Sequence, residues 1–89
     1  MKASTKKQAL RRLKILEGQV RGLQRMIGEE SYCVDILHQS AAVKEALSGI
    51  ENLILENHLS TCVVDHIRAG KSKKVVREIL ALYALSKKK

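Results

Sequence analysis

Three side chains in this 89-residue sequence carry donor atoms that a soft metal ion prefers: the thiols of Cys33 and Cys62 and the imidazole of His58. His58 and Cys62 stand four residues apart, a spacing that on a helix stacks two side chains on one face, within reach of a single ion. Cys33 lies twenty-five residues before His58. At about 1.5 Å of rise per residue, a continuous helix would hold these two roughly 37 Å apart, too far for one chain to close on a metal. Two chains can close it. In an antiparallel two-fold pair, residue i of one helix lies beside residue j of the other with i + j constant. Pairing Cys33 with His58 and Cys62 of a second copy puts the axis near Ala46 or Leu47. Such a dimer holds two equivalent sites, each with one thiolate from one chain and an imidazole and a thiolate from the other. Two thiolates and one imidazole suit three-coordinate copper(I) and lack the fourth ligand of structural zinc, which is the main competitor.

A metal-bound imidazole needs a group to hold its other nitrogen. Tyr32, beside Cys33, and Glu78, near the end of the chain, are chemically suited to that position. His38, five residues after Cys33, reads as a polar helix residue, and His66, four after Cys62, as at most an accessory donor. Neither is included in the site.

The elements that must position these groups are helices. The sequence has no proline, no Phe or Trp and only two Tyr, so its core must come from Leu, Ile, Val, Ala and Met. Apolar residues at Leu13, Leu16, Val20, Leu23 and Ile27 form one seam of a first helix from about Ser4 to Ile27, ended by Gly28. A second seam, Ile36, Ser40, Val43, Leu47, Ile50 and Ile54, predicts one long helix from Tyr32 to about Ala69 with Ser31 as its N-cap and Gly49 inside it. Gly70 and Lys71 read as a turn, and Ser72 as the cap of a third helix whose apolar positions, Val75 to Tyr83, must pack on something. The expectation is an all-α chain, one domain over residues 1–89, with residues 1–3 and 87–89 disordered. Neither a signal peptide nor a membrane span is supported, so the chain is expected to be cytoplasmic, where two cysteines serve as thiols or metal ligands rather than as a structural disulfide.

The formal charge of +8 is unevenly placed. Residues 1–28 carry eight Lys or Arg against one Glu, residues 29–68 seven acids against two bases, and residues 69–89 seven bases against Glu78. Two basic ends flank an acidic centre, and double-stranded DNA is the natural polyanionic partner. The phosphate-contacting candidates are Arg11, Arg12, Lys14, Arg21 and Arg25 in the first helix and Lys71, Lys73, Lys74 and Arg77 at the start of the third.

Across nearly its whole length the sequence resembles the CsoR family of copper-sensing repressors. The resemblance rests on Arg12-Leu13-Lys14-Ile15-Leu16-Glu17-Gly18-Gln19-Val20-Arg21-Gly22, on Tyr32-Cys33-Val34-Asp35-Ile36-Leu37, on Asn57-His58-Leu59 and on Cys62-Val63. It implies a three-helix protomer, an antiparallel dimer forming a four-helix bundle, dimers paired into homotetramers, and binding of operator DNA without a helix-turn-helix. Nickel and cobalt sensors of the family carry a histidine near the N-terminus and another in place of Cys62, whereas Met1 to Lys7 contain none. Formaldehyde sensors lack the second cysteine and persulfide sensors lack the histidine, so the set Cys33, His58, Cys62 favours copper(I).

The resulting expectation is a repressor whose metal-free tetramer binds its operator and is released on copper(I) binding, derepressing copper-resistance genes. A thiol or persulfide switch through Cys33 and Cys62 of the same fold is the nearest rival. An enzyme using Cys62 with His58 lacks an orienting third group and an oxyanion loop, so no catalytic activity is expected. A purely structural helical oligomer leaves the basic ends and the ligand spacing unexplained.

Overall fold

With no proline to interrupt the backbone ladder, the sequence folds into helix almost from its first residue. A computed structural model describes residues 1–87. Among them the regular elements are α1 (Ala3–Gly28), α2 (Cys33–His58), a π-helical turn (Leu59–Val63), α3 (Val64–Arg68) and α4 (Ser72–Lys87). The long second helix expected from sequence is present as α2, the π turn and α3, and the π turn within it was not foreseen. Of the N-terminal residues expected to be disordered, Ala3 is already helical, and the Lys2 carbonyl accepts the Lys6 N–H at 3.0 Å. The expected tail at Lys87 to Lys89 lies, beyond Lys87, outside the described residues.

Met1–Glu56 and Asn57–Lys89 form two compact units. The first is an antiparallel pair of helices. Near the connection, Gln39 Nε2 donates to the Gln19 carbonyl at 3.4 Å. Farther away, Arg12, Ile15 and Leu16 of α1 line a shallow groove with Ala46, Gly49 and Ile50 of α2. The buried edge of α1 runs through Thr5, Ala9, Leu16, Gln19, Leu23 and Met26, rotated from the expected seam, while Leu13, Val20 and Ile27 are exposed. On α2, Ile50 is buried and Ile36, Val43 and Leu53 are partly so, whereas Leu47 and Ile54 from the expected seam face outward. Each helix therefore carries more apolar surface than its neighbour in the chain covers, and periodicity alone could not separate the two edges.

Both inter-helix turns close in the same way. After α1, the Glu30 N–H bonds the Ile27 carbonyl at 3.1 Å and the Ser31 N–H the Met26 carbonyl at 2.9 Å, with Glu30 left-handed at φ 54°. The sequence points to Gly28 as the terminator, but Gly28 is the last helical residue and the strained position falls on a glutamate. The start of α2 is likewise displaced by one residue from Ser31: the Tyr32 carbonyl accepts the N–H groups of Asp35 and Ile36 at 3.0 and 3.2 Å.

In the second unit, α3 ends with Gly70 N–H on the Ile67 carbonyl at 3.0 Å and Lys71 N–H on the His66 carbonyl at 2.8 Å, Gly70 having φ 80°. A Cβ at Gly70 would meet no atom within 4 Å, so its cost is purely conformational. Gly70→Ala should lower the unfolding free energy by about 1 kcal/mol in chemical denaturation, with an unchanged helical spectrum. Among the described residues of this unit, Asn57, Val63 and Val75 are buried, while Val76, Leu80, Leu82 and Tyr83 of α4 are exposed. No helix among the described residues is long and apolar enough to cross a membrane.

Candidate metal centre and nucleic-acid surface

His58 and Cys62 are brought to one turn of the second unit. His58 closes α2, Cys62 lies within the π turn, and both are partly buried. One side of the imidazole faces a carboxylate: His58 Nε2 lies 4.0 Å from Glu78 Oε2 on α4. The same carboxylate reaches Lys74, whose Nζ is 3.9 Å from Glu78 Oε1. At these distances and exposures neither contact adds much stability. Their value is directional, because a ring whose Nε2 faces a carboxylate presents Nδ1 to a metal. Glu78, which the sequence offers as chemically suited to an imidazole, lies beside His58 in this unit.

Cys62 has a neighbour that sequence reasoning missed. Thr61 Oγ1 donates to the Asn57 carbonyl at 2.6 Å and stands 3.7 Å from Cys62 Sγ, and Ser60 Oγ donates to the same carbonyl at 3.2 Å. Adjacent hydroxyl residues just before a candidate ligand were the available signal, since Ser and Thr compete with a helix's own hydrogen bonds. His66 is partly buried, and its Nδ1 is enclosed without a hydrogen-bond partner among the described residues. His38 is exposed on α2.

Cys33 is the first residue of α2 in the other unit, a free and exposed thiol, and Tyr32 before it is exposed as well. Among the described residues, no three His, Cys, Asp or Glu side chains gather closely enough to hold a metal. One chain therefore offers the imidazole–thiol pair of the second unit and a separate thiol in the first. The donor chemistry of that pair suits a soft ion.

The basic candidates are all exposed. On α1, Arg11, Lys14, Arg21 and Arg25 fall on one stripe, with Gly18 in the gap and nothing within 4 Å of where its Cβ would be. Arg21 is 3.5 Å from Glu17, a surface pair that leaves the guanidinium accessible. Lys71 precedes α4, and Lys73, Lys74 and Arg77 lie in its first two turns. A bare basic stripe with a small residue at its centre can follow a phosphate backbone closely.

Residues 5–84 match the model of a family described as metal-sensitive transcriptional repressors. The copper-sensing transcriptional repressor CsoR of Bacillus subtilis is 42% identical over 78 residues, which span 88% of this chain and 77% of that protein. The copper-sensing repressor RicR of Mycobacterium tuberculosis is 47% identical over 60 residues, 67% of this chain, so the match spans less than two thirds, 62%, of that relative. A crystal structure of the copper-sensing repressor CsoR with Cu(I) from Geobacillus thermodenitrificans superposes with a TM-score of 0.91 at 35% identity, covering 99% of this chain and 92% of that one.

Proposed function

This chain belongs to the family of metal-sensitive transcriptional repressors, a family of regulators and not of enzymes, and from that premise we propose that it is a copper(I)-responsive repressor, bound to operator DNA when metal-free and released when copper(I) occupies Cys33, His58 and Cys62. The observation that carries this is the single turn holding His58 and Cys62 with Glu78 against the imidazole Nε2. Copper(I), when bound, supplies a soft centre that draws two thiolates and an imidazole together.

The protein's own residues do the rest. His58 and Cys62 of one chain offer two ligands, and Cys33 of a second copy offers the third, in an antiparallel homodimer whose pairing is supported by the apolar edge at Leu47 and Ile54 that the chain leaves exposed. Pairing of dimers into a tetramer gives the exposed apolar residues of α4, such as Leu80 and Tyr83, a surface to cover. Tyr32 is assigned beside the Cys33 ligand. Glu78 holds the imidazole and so links the ligand turn to α4, where Lys73, Lys74 and Arg77 stand ready for phosphates. With the basic stripe of α1 (Arg11, Arg12, Lys14, Arg21, Arg25) and Lys71, these residues form the proposed DNA surface, reading groove shape as well as bases. We place the protein in the cytoplasm with its operator and treat residues 1–89 as one functional domain.

The test is an anaerobic titration of copper(I) into the reduced protein on a fluorescent copy of its own promoter, with zinc, nickel and a persulfide donor in parallel. Release near one copper per protomer, with DNA affinity falling about 5- to 150-fold, is expected for ordinary allosteric coupling. Release by the persulfide donor alone would assign the protein to the thiol branch instead.

A further inference from the structure

An α-helix running straight through Asn57 to Arg68 would be the default for this sequence, yet the chain widens into a π turn at Leu59–Val63, with Cys62 inside it. A π turn places one more residue in the turn than an α-helix does. The extra residue alters by up to about 100° the angle at which Cys62 and the residues after it leave the axis, relative to His58. Such insertions need a local cause, because they sacrifice regular hydrogen bonding. Two hydroxyls converge on one carbonyl here: Thr61 Oγ1 at 2.6 Å and Ser60 Oγ at 3.2 Å from the Asn57 oxygen. Asn57 itself is buried, which leaves its carbonyl little access to water. The Thr61 bond is the shorter, and the Thr61 hydroxyl oxygen also lies 3.7 Å from Cys62 Sγ.

We propose that Thr61 is a positioning residue: its hydroxyl, bound to the Asn57 carbonyl, holds the π turn that aims the Cys62 thiol relative to the His58 imidazole. It touches no ion. Its effect on binding is through the direction of the neighbouring thiol and therefore rests on the ligand assignment above, while its effect on the turn does not.

The experiment compares Thr61→Val, which keeps the branched shape and loses the hydroxyl, with Thr61→Ser, which keeps the hydroxyl and loses the methyl. Two quantities are read: backbone amide exchange over residues 60–64 in the metal-free protein, and copper(I) affinity by competition with a chromophoric copper(I) chelator. Thr61→Val should change the exchange pattern of the turn and weaken copper(I) binding about ten-fold, whereas Thr61→Ser should match the wild type within about two-fold in affinity. A valine variant equal to wild type in both readouts would overturn the proposal, as would a serine variant that fails together with valine, since that is the mark of a packing role. If the wild type itself binds no copper(I), the ligand assignment fails, and exchange in the metal-free protein still decides whether Thr61 holds the turn.

Discussion

Cys33→Ala protein should remain on its operator at copper(I) concentrations that release the wild type. The wild-type response is expected to be about 5- to 150-fold in DNA affinity, and the variant's should shrink to about two-fold or less. The reason is positional. Cys33 is an exposed thiol at the first turn of α2, contributing nothing visible to the core of its own unit, so its removal should leave folding and metal-free DNA binding intact. His58 and Cys62 stay in place on their own turn and can still hold an ion as two ligands, but an ion held within one chain makes no link to a second. In the proposed dimer only the third ligand turns local binding into a change between subunits, and a ligand without differential affinity for two states shifts neither. Fluorescence anisotropy on promoter DNA with and without copper(I) measures this. Continued release from the alanine variant would remove Cys33 from the site. The parallel variant His58→Ala separates the chemistries, because a sulfur-only switch tolerates that change and a three-ligand copper site does not.

Much of this arrangement was legible in the sequence, and the parts that were not have identifiable causes. Helical content, the four-residue spacing of His58 and Cys62 and the basic ends follow from residue type and period. The relevance of Glu78 could be inferred from the needs of an imidazole, and the structure brings it to 4.0 Å from that ring. The seams were less transparent. Leu13, Val20, Leu47 and Ile54 belong to the apolar pattern yet lie exposed, because each helix carries two apolar edges and periodicity sums them. The stop after α1 was assigned to Gly28 because glycine is the usual left-handed residue, whereas the closing hydrogen bonds put that conformation on Glu30. The π turn left only Ser60 and Thr61 as a trace, since hydrophobic period does not report a change of hydrogen-bond register over five residues. That Lys74 shares its carboxylate with a candidate ligand required coordinates, because the i, i+4 spacing of Lys74 and Glu78 says nothing about His58.

That shared carboxylate yields the second large effect. Glu78→Gln should bind copper(I) with an affinity lowered by about ten-fold or less, yet lose most of its copper-dependent release from DNA. Glu78 contributes no ligand in the proposed set; it faces the Nε2 side of His58 with one oxygen and Lys74 with the other. Glutamine keeps the shape and a hydrogen-bonding group but removes the charge that both partners address, so the ligand turn and the basic start of α4 lose their electrostatic connection. Binding and coupling are separable quantities, and linkage supplies an internal check. If copper(I) weakens DNA binding by a given factor, DNA must weaken copper(I) binding by the same factor. The wild type should therefore show a lower copper(I) affinity on its operator than free in solution, and Glu78→Gln should show nearly equal affinities in the two conditions. A variant that loses copper(I) binding altogether would make Glu78 essential for forming the site. One that keeps full release would mean the signal reaches the DNA surface by a route that bypasses α4.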